Sequence, residues 1–168
     1  MFTKEESDLA SDNWGFNCGP GACCAMFDLT PNQIRSKLFD FEKKKYTNPS
    51  LMKKIIKNCG WKYKQVYRGD VLAVDEALIS FDFKALIRIQ WAGPWTEPEV
   101  PMKERQRYTH WIGVKDLNIF DINAMNIGGW IPFEEWKNEL VPWLVDQVDS
   151  RCNGNWWPTH ILELSKGQ

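Results

Sequence analysis

Cys18 stands where the loop Asn13-Trp14-Gly15-Phe16-Asn17-Cys18-Gly19-Pro20-Gly21 runs into the compact apolar stretch Ala22-Cys23-Cys24-Ala25-Met26-Phe27. Gly-Pro-Gly breaks the preceding structure, and proline is tolerated in a first helical turn. The pattern therefore predicts a buried helix from near Cys18 to about Leu29. A thiol at a helix start feels the positive end of the helix dipole, which lowers its pKa toward the nucleophilic thiolate. Backbone N–H groups at the same helix start can hold an oxyanion.

A thiolate nucleophile needs a base. His110 opens the apolar strand Thr109-His110-Trp111-Ile112-Gly113-Val114. Asp116-Leu117-Asn118 then turns the chain, and Ile119 to Ile122 returns beside it as a hairpin. The returning segment carries Asp121 and, two residues on, Asn123; either can accept the imidazole N–H and orient the ring. His160, in Pro158-Thr159-His160-Ile161, also begins an apolar strand and is an alternative base, but no Asp-bearing partner strand follows it. The plainer readings are a buried core cysteine and a satisfied core histidine. Gly-Pro-Gly directly after the thiol is a poor way to build plain core. Cys23, Cys24 and Cys59 read as core, and Cys152 as an exposed bystander.

The elements that position these groups are legible in outline. The first dozen residues read as a loose lead-in. Thr30-Pro31 and Asn48-Pro49 each place a capping residue before a proline at a helix start. The first helix has Ile34, Leu38 and Phe41 on one face; the second carries Leu51, Met52, Ile55 and Ile56 and stops at Gly60. Trp61 to Tyr67 alternates as a half-buried strand, Val71 to Phe81 reads as a short helix, and Lys84 to Trp91 reads as a strand. Ala92 to Arg107 is the longest loop, with Gly128 to Ile131 a short strand further on. Pro132 opens an amphipathic helix to about Val148, with Phe133, Trp136, Leu140, Trp143 and Leu144 on one side, and Pro142 inside it predicts a kink or a break there. Trp157 to Leu164 closes the chain as a strand. Helices first and antiparallel strands after predict an α+β domain, with the helices packed on an antiparallel sheet. One domain covers 1–168, its helical part about 13–60 and its sheet part about 61–168.

Asn17-Cys18-Gly19-Pro20-Gly21-Ala22 resembles the Asp/Asn-Cys-Gly-Pro-Ala motif of papain-like cysteine peptidases of the bacteriocin-leader-processing (double-glycine) kind. Thr109 to Val114 resembles their His-bearing strand, and Ile119-Phe120-Asp121 the strand carrying their Asp. The resemblance implies a papain-like fold with the active site between a helical and a β part. It also implies a bacterial or phage setting, with Cys18 as nucleophile, His110 as base and Asp121 as orienter. That family's oxyanion-binding Gln, six residues before the Cys, is replaced here by Asp12, whose carboxylate would repel an oxyanion; Asn13 or Asn17 would have to serve. Thiol-dependent amide hydrolysis is the expected activity. Acyl transfer, deamidation or transglutamination on the same groups, and a non-enzymatic binding module on the same scaffold, stand beside it.

Composition narrows the partners. The chain has 168 residues, 43% hydrophobic and 26% charged, which supports a real core without staples. Net charge is −1 with no broad basic stripe, so nucleic acid is not the expected partner. Five Cys without a CxxC pair, and two His away from zinc-finger spacing, point to no metal, no cofactor and free thiols in a reducing, cytoplasmic setting. No apolar run reaches membrane-spanning length. The expected partner is a protein or peptide substrate, with Trp14, Trp95, Trp156-Trp157 and the Ala92–Arg107 loop as candidate cleft walls.

Overall fold

Capping side chains mark the starts of the helices at Lys4, Pro31 and Pro49, whereas the helix that carries Cys18 begins without one. In the computed structural model, which describes residues 3–14, 17–39, 41–44, 46–68, 83–91, 98–99, 108–148 and 156–167, helix α2 spans Cys18–Phe27. Thr30 and Gln33 form a reciprocal capping box at α3 (Pro31–Arg35). Asn48 accepts the Leu51 N–H at the start of α5 (Pro49–Asn58).

Two helical expectations change. The supposed lead-in is helix α1 (Lys4–Trp14). Thr3 and Glu6 cap it reciprocally at 3.0 and 3.2 Å, the Lys4–Asp8 pair spans one turn at 2.8 Å, and Ala10 anchors it in the core. The helix expected from Pro31 through Phe41 is broken. It ends at Arg35, Phe39 takes a left-handed φ of 54°, and α4 (Phe41–Lys44) restarts the winding. Leu38 N–H bonds to Arg35 and Phe41 N–H to Leu38, a tighter winding that still buries Ile34, Leu38 and Phe41 completely. The helix expected over Val71–Phe81 and Trp95 lie outside the described residues, as does the 92–107 loop apart from Pro98 and Glu99.

The strands are β1 (Trp61–Arg68), β2 (Ala85–Trp91), β3 (Tyr108–Lys115), β4 (Asn118–Phe120), β5 (Trp130–Pro132) and β6 (Trp156–Lys166). They form one antiparallel sheet in the order β1-β6-β2-β3-β4-β5. Alternation sorts the side chains onto two faces. Leu86, Trp111, Leu162 and Leu164 meet the N-terminal helices in one core. Ala85, Ile87, Ile89, Ile112, Val114 and Ile161 meet the 133–148 segment in a second. In that segment the regular winding expected to kink or break at Pro142 is interrupted just before it. Helix α6 (Phe133–Glu135) runs into a π-helical turn (Trp136–Leu140) and then α7 (Val141–Val148). The wide turn precedes Pro142, whose ring and missing N–H disturb the regular ladder there. Trp143, expected on the apolar face, is half exposed.

The expected strand over Ile119–Ile122 stops at Phe120. Asp121 instead caps a 3₁₀ helix (Ile122–Ile127), its carboxylate accepting the Asn123 N–H, while its own N–H bonds to the Gly129 carbonyl. Because β4 ends opposite Gly113, β3 from Tyr108 to Ile112 has no described strand on that side. The start of α2 fills this notch.

The close approach of α2 depends on glycine. A Cβ on Gly19 would lie 2.7 Å from Thr47 Cβ, and one on Gly21 would lie 2.8 Å from Ile122 Cδ1. Thr47 is itself held, its carbonyl accepting the Trp111 indole N–H at 2.7 Å. Gly19→Ala should therefore force Thr47 and the helix start apart, at a cost of about 1–3 kcal/mol. Thermal unfolding should show Tm lowered by on the order of 5 °C, and an unchanged Tm would mean that this contact is not tight.

Candidate active site

The first turn of α2 presents Cys18, half-buried, toward the open edge of β3. The first backbone bond of the helix runs from Gly21 N–H to the Asn17 carbonyl, so the N–H groups of Cys18 and Gly19 have no acceptor within the helix. On β3, alternation puts His110 with Ile112 and Val114 on the face covered by α6 and α7, whereas Cys18 packs with the opposite core. The contact between them passes around the strand edge that β4 leaves uncovered. There the His110 ring and the backbone N–H of Trp111 come close enough to the Cys18 thiol to act on its charge.

His110 Nε2 lies 2.9 Å from Asp121 Oδ1. That nitrogen is committed to the carboxylate, which leaves Nδ1 for the thiol. Asp121 is fully buried, and every group around it donates. The Asn123 backbone N–H and side-chain amide both reach Oδ1 at 2.9 Å, and the Trp136 indole N–H reaches Oδ2 at 2.9 Å. Asn123 Nδ2 is 3.5 Å from His110 Nε2. Between the two residues considered for orienting the imidazole, Asp121 makes the short contact, and Asn123 holds Asp121.

The charges follow from this packing. Burial pushes the Cys18 thiol up, but the hydrogen bond and positive charge of His110, with the Trp111 N–H, outweigh it and leave the thiol below its ordinary value. Burial disfavours a charged His110, and the Asp121 carboxylate beside it more than compensates, raising the imidazole to about 10. Burial works against the Asp121 charge too, and His110, Trp136 and Asn123 together hold its carboxyl below the usual range. The other described thiols go the opposite way. Burial raises Cys24 to about 12, Cys59 to about 11 and Cys23 well above its ordinary value.

The remaining candidates are placed elsewhere. Asp12 is exposed on α1. Asn13 lies in the last turn of α1, and its side chain is outside the described residues, as is that of Trp14. The Asn17 amide points back to α1, 3.4 Å from the Ser7 carbonyl. His160 sits in the middle of the sheet opposite Arg88, not beside Cys18. Trp156 packs edge-on against Trp136 at 5.0 Å and Trp157 is buried, so this pair is packing rather than cleft wall. Cys152 is outside the described residues.

Trp136 and the Trp111 backbone N–H were invisible as site groups in the sequence. Trp136 read as one more apolar residue of an amphipathic helix, and only its indole nitrogen hinted at a polar partner. Among the described residues no cluster of His, Cys, Asp and Glu is arranged to hold a metal ion, and no helix is long and apolar enough to cross a membrane. The chain matches no known protein family, and no curated protein or solved structure is significantly similar to it.

Asp121 has a folded pKa below 3.8, so the stability it contributes is present above that value and lost as pH falls through the folded pKa. Trp136→Phe removes one donor and leaves Oδ2 unsatisfied, which should cost about 1–3 kcal/mol. It should also move the acid-unfolding midpoint to higher pH, as followed by circular dichroism. An unshifted midpoint would mean that the indole does not support the carboxylate.

Proposed function

We propose that this chain is a thiol-dependent amide or peptide hydrolase of the papain-like kind, working through an acyl-enzyme. One observation carries the reading: a half-buried thiol at a helix start stands beside an imidazole that a buried carboxylate holds at 2.9 Å. Two opposed pKa shifts in adjacent groups are the usual mark of an assigned acid and base.

The chemistry follows from those positions. His110 takes the Cys18 proton at Nδ1, and the thiolate attacks the substrate carbonyl carbon. The C–S bond forms as the carbonyl π electrons move to oxygen. The resulting oxyanion is met by the unpaired N–H groups at the start of α2. As the intermediate collapses, the C–N bond breaks and His110 returns its proton to the leaving amine. Water, deprotonated by the same imidazole, then attacks the thioester and releases the carboxylic acid and the thiol. Asp121 keeps the proton on Nε2 and stabilises the imidazolium of each step. An amine in place of water would make the same intermediate a transferase.

The reactive ion pair needs Cys18 ionised and His110 protonated. It is therefore present above the Cys18 pKa, which lies below 9.0, and is lost as pH rises through about 10. Iodoacetamide at neutral pH should label Cys18 faster than Cys23, Cys24 or Cys59, with an acid limb below that of a free thiol. His110→Ala should slow the reaction by on the order of 100-fold; equal labelling of all four thiols would overturn the reading. Glutamine-bearing peptides incubated with a labelled amine separate the outcomes. Peptide cleavage supports hydrolysis, amine incorporation supports transfer, and ammonia release alone supports deamidation.

A further inference from the structure

The register of the sheet sets four residues in one transverse row. Arg68 of β1 is opposite His160 of β6, His160 is opposite Arg88 of β2, and Arg88 is opposite Trp111 of β3. Directly opposed residues share a face, and Trp111 fixes which one. Its side chain belongs to the core under the N-terminal helices. The row thus borders that core beside Leu86 and Leu162, and its last member, Trp111, lies within the core and has its N–H near Cys18. Lys53 approaches the same place from α5, tethered to the Gln65 side-chain oxygen.

Among the described residues, cations gather here without a carboxylate bonded to them. Arg88 is half-buried; it donates to Thr159 Oγ1 at 2.9 Å and Gln90 Oε1 at 3.2 Å, both neutral. Its Nε is buried with no hydrogen-bond partner. Among the described residues no carboxylate bonds to Arg88, and the Cys18 thiolate is the negative group that acts on it. Burial, and then the charges of Arg88, Lys53 and Arg68, push His160 down to about 4, so this histidine is neutral and adds no charge of its own. A half-buried arginine with an unused N–H and no carboxylate partner among the described residues is costly to maintain as plain structure.

We infer that this row forms a subsite for a carboxylate of the substrate, Arg88 holding it next to the amide that Cys18 attacks, with Arg68 and Lys53 drawing it in. The inference rests on the thiol-hydrolase reading and names the substrate class: peptides with an acidic side chain, or a free chain end, close to the scissile bond. A carboxylate there would take the unused Arg88 N–H and supply the missing countercharge, while the neutral His160 leaves room for it.

Paired alkylating agents test the subsite separately from the thiol. Iodoacetate and iodoacetamide both alkylate a thiolate with loss of iodide, and they differ in one carboxylate. Their rate ratio at Cys18 cancels any change in thiol pKa. At low ionic strength the ratio should favour iodoacetate. It should fall about 3- to 10-fold in Arg88→Met and less in Arg68→Gln and Lys53→Gln, and the preference should shrink toward none in 1 M salt, where screening acts over about 3 Å. The two outer variants carry the test if Arg88→Met does not fold. Fast iodoacetamide labelling with a ratio unchanged in every folded variant overturns the subsite and leaves the thiol reading intact. Labelling of Cys18 no faster than Cys59 by either reagent removes both. Peptidyl chloromethyl ketones ending in Glu or Gln then identify the source of the carboxylate. Faster inactivation by the Glu reagent assigns an acidic side chain, and equal rates with the iodoacetate preference retained assign a chain end.

Discussion

A carboxylate taken fully out of water is tolerated only when its oxygens are met by donors, and Asp121 is met on all sides. Its partners come from separate pieces of the chain: His110 from β3, Asn123 from the 3₁₀ turn, and Trp136 from the π-helical turn after β5. The charge therefore fixes where β4 must end and how the 133–148 segment sits against the sheet. It also fixes which imidazole nitrogen faces the thiol. Removing Asp121 would loosen the strand edge as well as the ring.

Location separates Cys18 from its neighbours in α2. Cys23 and Cys24 lie a turn and more further along the same helix, inside the core, where burial stabilises the neutral thiol. Cys18 pays a similar desolvation penalty, but it lies at the notch in β3, within reach of the imidazole and of a backbone N–H that no strand uses. The notch exists because β4 is only three residues long. The helix start can enter it because Gly19 and Gly21 carry no side chain toward Thr47 and Ile122. Two glycines and one short strand thus bring one sulfur to the open edge of β3.

Charge on the helix-facing side of the sheet is arranged on a larger scale than the thiol contact. Beside Leu86 and Leu162 of the apolar core, the next row carries Arg88 and Arg68 around a neutral histidine. Thr159 and Gln90 satisfy part of Arg88 without neutralising it. Among the described residues no carboxylate pairs with Arg68, Arg88 or Lys53.

Local chemistry was legible where the cause is local. Gly-Pro-Gly after Cys18, the Thr30 and Asn48 caps, the alternation in β1 and the hairpin turn after β3 each depend on neighbours within a few residues, and those elements stand where the spacing puts them. The Thr3–Glu6 capping box was equally local and was overlooked because the segment around it is polar. Tertiary structure decided the rest. Asp121 leaves the strand to cap a turn because its oxygens find donors from Asn123 and Trp136. The Pro31 helix breaks because a tighter turn at Leu38 buries its apolar residues. The Arg68–His160–Arg88–Trp111 row exists only through strand register. Sequence spacing is a one-dimensional record of short-range preferences, whereas these contacts join residues up to about a hundred positions apart and are set by which surfaces close over a buried charge.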